Sequence, residues 1–318
     1  MKYCFGIDIG GTTVKMGLFQ EDGELLDKWE IKTRTENQGE AILPDIAQAV
    51  KAKMAEKDLV KEQIIGLGMG LPAPVNEDGI VQNTANLGWG YKEVTRELEE
   101  LLDGMKVIPG NDANVAALGE MWKGGGKGHK NVIMVTLGTG VGSGIVINGQ
   151  LVYGHDGFAG ELGHVIVRRD GRQCGCGRKG CLETYCSATG VARTAREFLV
   201  ARPEPSLLRD IPAEDIVSKD VFDAAVRGDK LAQDIFEYTG RILGEALADF
   251  IAFSSPEAII LFGGLAKSGD YIMKPIRKAI DDNILKIYEG KTKLLISELK
   301  DADAAVLGAS ALGWEVRE

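Results

Sequence analysis

The feature that most constrains this chain is a repeat. A strand-like segment, a glycine turn and a second strand-like segment occupy residues 3–9, 10–12 and 13–19, and the same order returns at 131–137, 138–142 and 143–149. The first turn reads Gly10-Gly11-Thr12 and the second Gly138-Thr139-Gly140-Val141-Gly142. Between and after the hairpins, helical periodicity alternates with short apolar runs at 64–70 and 258–262, which read as buried strands. That alternation predicts an α/β class. The repeat predicts two related α/β domains facing a common cleft, in preference to one large doubly wound sheet. A smaller domain is expected at 1–110, joined by the C-terminal helix at 302–318, and a larger one at 111–301. Helices are expected at 38–57, 92–102, 187–201, 230–252 and 268–286, with a strand near 293–297.

Length and charge narrow the function classes. At 318 residues there is material for two domains, each of roughly 100–200 residues. A net charge of −10 argues against a nucleic-acid partner, because phosphate backbones are held by concentrated Lys and Arg. No apolar run approaches the ~20 residues of a membrane span. Met1-Lys2 leads directly into the first strand without a signal-peptide pattern, so the cytoplasm is the expected compartment.

The five cysteines are unevenly spread. Cys174, Cys176 and Cys181 share one Gly-rich run, preceded by His164, in the spacing H-x9-C-x-C-x4-C. This suits a reducing compartment and metal binding better than a disulfide framework. Four soft or borderline ligands describe a closed, structural zinc site. Glu161 stands just before the segment and Glu183 just after it, so the residues tied down by the metal are the first suspects for function. Cys4 reads as a core residue and Cys186 as a buried small hydrophobe; Cys186 is also the alternative metal ligand. His129 and His155 are isolated and read as surface residues.

The two turns suit phosphate. In the first, glycines let backbone N–H groups approach an anion. Thr12 and Thr13 add hydroxyls, Lys15 adds a cation, and Asp8 suits a hydrated Mg2+. A plain hairpin turn has the same composition. In the second, glycines alternate at 138, 140, 142 and 144. Neither better-known phosphate pattern is met: Gly126-Lys127 is followed by Gly128 instead of Ser or Thr, and Ser143 interrupts G-x-G-x-x-G. Asn111-Asp112 follows a short strand, where α/β sheets place ligands. A carboxylate there can take the proton of an attacking hydroxyl. Helix capping is the other role open to such an Asp, and Asn111 can fill it in place of Asp112.

Taken jointly, these segments resemble the ROK family of sugar kinases along essentially the whole chain, and most of all its bacterial ATP-dependent glucokinases. Asp8 to Thr12 resembles the family's first phosphate loop and Leu137 to Gly144 the second; Gly263-Gly264 resembles its nucleotide-side turn. Asn111-Asp112 resembles the catalytic pair, while Gly160 to His164 and Cys174 to Glu183 resemble the sugar- and zinc-binding segment. The resemblance implies an actin-like, ribonuclease H-like fold and phosphorylation of the glucose 6-hydroxyl by ATP, with Mg2+ and a structural Zn2+. It implies Asp112 as general base and Asn86, Asn111, Glu161, His164 and Glu183 as sugar contacts. His164 would serve zinc with one ring nitrogen and sugar with the other. Gly10, Gly11, Gly138, Thr139 and Gly140 would lie along the phosphates. A homodimer or tetramer is implied as well. Ala73 departs from the family's Gly-x-Pro-Gly-Pro segment; a positive φ there would cost Ala about 1 kcal/mol. N-acetylmannosamine, N-acetylglucosamine, mannose and fructose are the alternative substrates. Sugar-responsive repressors of the family carry a helix-turn-helix ahead of the first loop; Asp8 lies within ten residues of the start, which disfavours that reading.

Overall fold

The computed structural model describes residues 1–84, 86–299 and 301–314. Ala85, next to the expected sugar contact Asn86, and residues 315–318 of the expected C-terminal helix lie outside the described residues. The chain opens with strands β1 (Tyr3–Ile9), β2 (Thr13–Gln20) and β3 (Leu25–Lys32). A helical turn α1 (Glu36–Gly39), helix α2 (Ile42–Glu56) and strand β4 (Ile64–Leu71) follow. Next come the short pair β5 (Ile80–Val81) and β6 (Lys92–Glu93), helix α3 (Val94–Leu101), strand β7 (Val107–Asn111) and helix α4 (Asp112–Lys123). The second run has β8 (Val132–Leu137), β9 (Val141–Ile147), β10 (Gln150–Leu151), the turn α5 (Glu183–Cys186), and helices α6 (Ala188–Ala201), α7 (Ser218–Val226) and α8 (Lys230–Ser254). Strand β11 (Ala258–Phe262), helix α9 (Asp270–Asn283), strand β12 (Lys293–Ile296) and helix α10 (Asp301–Trp314) complete it.

The repeat is visible in the topology. One five-stranded sheet has the order β3-β2-β1-β4-β7 and the other β10-β9-β8-β11-β12. In both, the opening strand of the repeat lies third, between its hairpin partner and a parallel strand. β1 pairs antiparallel with β2 and parallel with β4; β8 pairs parallel with β11, and β11 with β12. This is the two-domain actin-like, ribonuclease H-like class expected from the sequence.

The compact units do not follow the expected boundary at 110. One comprises Met1–Lys130, Gly144–Ala159 and Glu298–Glu318, the other Asn131–Ser143 and Gly160–Ser297. Helix α4 explains the shift, because it packs on α10 at backbone distance. A Cβ on Gly308 would lie 1.8 Å from the Val115 carbonyl oxygen, and one on Gly68 of β4 1.8 Å from that of Ala309. Only glycine permits such approach, so α10 is seated between β4 and α4 and all three share a unit.

Each unit has its own core. Phe5, Ile7, Met16, Leu18, Leu67 and Met69 from the sheet meet Ile46, Val50 and Leu98 from the helices in the first. Ile133, Val135, Ile259 and Leu261 meet Ile235, Leu243, Leu247 and Ile276 in the second. Each such side chain contributes about 1.5–3 kcal/mol when fully buried. Helix α2 begins at Ile42, later than the expected 38, because Asn37 and Gln38 have φ of 51° and 59°. That turn presents the Gly39 carbonyl to the Trp89 indole N–H at 3.0 Å. Among the described residues no helix is long and apolar enough to cross a membrane.

Candidate active site

In the first unit, the β1–β2 pairing sets Asp8 opposite Lys15, with Nζ 3.9 Å from Oδ2. The Gly10 N–H donates to the Thr13 carbonyl at 3.0 Å, closing the turn. Thr33, at the end of β3, donates its hydroxyl to the Gly10 carbonyl at 2.7 Å and its N–H to that of Thr12 at 2.9 Å. Gly11 and Thr12 remain exposed. Burial pushes the Asp8 carboxyl above its usual range, against the opposing pull of Lys15 and Lys28. Asn86 abuts this turn: a Cβ on Gly11 would stand 3.3 Å from its Cβ. The first glycine turn, an expected phosphate contact, and Asn86, an expected sugar contact, are thus neighbours.

The junction of β7 and α4 carries Asn111 and Asp112. Asn111 is the N-cap, with φ −63° and ψ 146°, and its side chain accepts from the Ala113 N–H at 2.9 Å. The cap does not leave Asp112 aside, because its Oδ1 accepts from the same N–H at 2.7 Å. Asp112 is exposed on the first turn of the helix, where the helix dipole favours a carboxylate. Ala73 is not among the described residues with positive φ, so the strain considered for it does not arise.

In the second unit, the Gly138 N–H donates to the Gly140 carbonyl at 3.1 Å. The turn is held on the start of α6, where the Ala188 N–H donates to the Gly138 carbonyl and the Thr189 hydroxyl to the Thr139 carbonyl, both at 2.8 Å. Glu183, the first residue of α5, accepts the Val141 N–H on Oε2 at 3.2 Å. A Cβ on Gly140 would fall 2.3 Å from that oxygen, so glycine is what leaves room for the carboxylate. Gly263, with φ 102°, backs onto the Leu137 carbonyl next to Gly138.

His164, Cys174, Cys176 and Cys181 converge, with their donor atoms all within 4.8 Å of one another. Cys174 Sγ is 3.7 Å from His164 Nδ1, and Cys176 Sγ is 3.7 Å from Cys181 Sγ. Tetrahedral zinc with Zn–S of about 2.3 Å sets sulfurs about 3.8 Å apart, so the donor set fits that ion. Burial pushes the Cys174 thiol up to about 12 and raises that of Cys181. The Arg178 N–H holds Cys176 below the usual thiol range. Nδ1 is the His164 nitrogen turned to the cysteines; Nε2 is 3.9 Å from Glu161 Oε2. Glu183 Oε1 is 3.6 Å from Cys174 Sγ, which ties the cysteine loop to the second turn. Cys4 and Cys186 stand apart, with thiols directed to the carbonyls of Gly66 at 3.1 Å and Thr239 at 3.6 Å.

Sequence reasoning missed the second rank of these sites. Thr136 accepts the Gly142 N–H at 3.0 Å, and the Ser143 hydroxyl joins the Gly160 carbonyl while accepting from the Leu162 N–H at 3.2 Å. With Thr33 and Thr189, these are single hydroxyls at unremarkable positions in the chain, and no motif marks them.

The ROK family model matches residues 4–315. A relative from Halalkalibacterium halodurans named glucokinase is 39% identical over 320 residues, spanning all of this chain and 96% of its own. A glucokinase of Thermotoga maritima is 37% identical over 96% of both chains. Among solved structures, a ROK family glucokinase from Streptomyces griseus in complex with glucose and AMPPNP superposes with a TM-score of 0.76 at 33% identity, covering 98% of this chain and 99% of that one.

Proposed function

The chain belongs to the ROK family, and from that premise we propose that it phosphorylates the 6-hydroxyl of glucose with ATP. The observation that carries this reading is likeness over the full length to relatives named glucokinase, at 39% and 37% identity. A structural neighbour that holds glucose and an ATP analogue supports the same substrate pair.

Phosphoryl transfer asks the protein for positioning and charge stabilisation more than for covalent chemistry. Asp112 is assigned to accept the hydroxyl proton as the oxygen attacks. Its exposed carboxylate at a helix start suits that task, and the Ala113 N–H on Oδ1 fixes its rotation. Asn86, Asn111, Glu161, His164 and Glu183 are assigned to the sugar hydroxyls. Gly10 to Thr13 with Lys15, together with Gly138 to Gly140, are assigned to the phosphates, and Gly263 and Gly264 to the nucleotide. Asp8 would hold Mg2+, which neutralises the phosphate charge. The His164–Cys174–Cys176–Cys181 set would hold a structural Zn2+. His164 Nε2, turned from the cysteines, stays available for a hydroxyl. The cytoplasm, which supplies ATP and keeps thiols reduced, is the compartment this reading takes, and a homodimer or tetramer is the assembly.

The test is ADP release with glucose, mannose, fructose, N-acetylglucosamine and N-acetylmannosamine, assayed side by side. Glucose is expected to give the highest kcat/KM. A strong preference for an N-acetylated hexose overturns the reading.

A further inference from the structure

Arg172 lies two residues before Cys174, yet its side chain, 6% exposed, makes its contacts elsewhere. Nη1 donates to the carbonyls of Thr184 at 2.7 Å and Gly190 at 3.3 Å. Nη2 donates to the Thr194 hydroxyl at 2.9 Å, and Nε to the Glu197 carboxylate at 3.2 Å. The guanidinium carbon stands 4.5 Å from the centre of the Tyr185 ring. The main chain of the same residue is also anchored: its N–H donates to the Tyr185 hydroxyl at 3.1 Å, and its carbonyl accepts the Gly180 N–H at 2.8 Å. Arg172 therefore grips Thr184 and Tyr185, the two residues after Glu183, together with Gly180, the residue before Cys181.

Helix α5 is only four residues long. One turn of helix does not hold itself, because nucleation is unfavourable and the end carbonyls have no partner within the turn. What fixes its direction must come from outside. The metal cluster reaches α5 through Cys181 on one side, and the guanidinium meets the Thr184 carbonyl on the other. A planar fork can serve four acceptors and an aromatic face at once, which an ammonium cannot.

We propose that Arg172 is a positioning residue for the sugar end of the site, holding the turn that carries Glu183 independently of the metal. The inference rests on the reading that Glu183 contacts glucose. Among the described residues, none of the groups bonded by Arg172 is a metal donor or an assigned sugar contact, so its effect passes through the orientation of Glu183. Loss of an interaction made equally in ground and transition states raises KM and leaves kcat.

Arg172→Met is expected to raise the glucose KM about tenfold with kcat within about threefold, and to retain zinc. Hydrogen exchange at the Val141 amide, the donor to Glu183, should quicken by about tenfold or more, while amides of Val132–Leu137 stay protected. Arg172→Lys should give an intermediate KM. A folded Arg172→Met protein with wild-type KM and wild-type Val141 protection overturns the proposal. So does one in which zinc, kcat and protection throughout the unit fall together. If Arg172→Met does not fold, Tyr185→Phe carries the test, since it keeps the ring and removes only the acceptor of the Arg172 N–H; about a threefold rise in KM is expected, and no change in KM or Val141 exchange overturns the proposal. A wild-type protein that releases no ADP with glucose defeats the functional reading, and exchange at Val141 still decides the role of Arg172.

Discussion

The two glycine hairpins repeat one another in topology and differ in how they are held. The β1–β2 turn carries its own charges, Asp8 and Lys15, on facing strands. It is fastened from within by Thr13 and by Thr33 one strand away. The β8–β9 turn has no titratable residue between Leu137 and Ser143. It takes its carboxylate from Glu183 and its fastening from Ala188 and Thr189, all beyond the cysteine segment. One copy is self-contained. The other depends on residues more than forty positions along the chain, just beyond the cysteine segment, so damage there reaches the second turn.

The largest effect expected falls on the first unit. Asp112→Asn should lower kcat by about 100-fold or more while glucose binding stays measurable by calorimetry. Wild-type turnover in this variant removes Asp112 as the base. Cys176→Ala comes next and strikes the second unit: zinc content, melting temperature and glucose affinity should fall together, with the hydrogen bonds of the first turn kept. Unchanged zinc and unchanged affinity refute the coupling between metal and sugar. Gly140→Ala should follow, because its Cβ would lie 2.3 Å from Glu183 Oε2 and the carboxylate must move. The glucose KM is expected to rise about tenfold. Gly138→Ala is the control for the fold, since its Cβ would meet nothing within 4 Å among the described residues and the melting temperature should hold.

The smallest effect tests the self-contained turn. The Asp8 pKa is raised in the folded protein. A carboxyl raised on folding gives stability that is full below its unfolded pKa, about 3.9, and is lost as pH rises through the folded value. At neutral pH the ionised group therefore costs stability. Asp8→Asn should raise the melting temperature at pH 7 by about 1–3 °C and flatten its decline between acid and neutral pH, while turnover with Mg-ATP drops. A lower melting temperature would show that the Lys15 pair outweighs burial.

Much of this was legible in the chain. The repeat marked both sheets, because a strand–turn–strand pattern leaves a period-two and glycine signature. The spacing marked the His164–Cys174–Cys176–Cys181 donor cluster, because four donors close in sequence need little help to meet. Asn111 was readable as a cap because capping is local. Less local features were missed. The boundary at 110 failed because α4 is assigned to its unit by backbone contact with α10, far along the chain, through Gly308. The late start of α2 turned on left-handed Asn37 and Gln38, whose turn is stabilised by Trp89.

The sequence by itself determined the class of fold and the family, and it marked the four residues whose donor atoms converge, since each rests on residue type and short spacing. Only the tertiary structure decided which nitrogen of His164 turns to the cysteines, that Asp112 and Asn111 share one N–H, that Ala73 has no positive φ, and that Glu183 accepts from Val141 while Arg172 holds the Thr184 carbonyl beside it. Those are matters of direction and distance between groups remote in the chain. They are set when side chains pack against one another, and no local pattern encodes them.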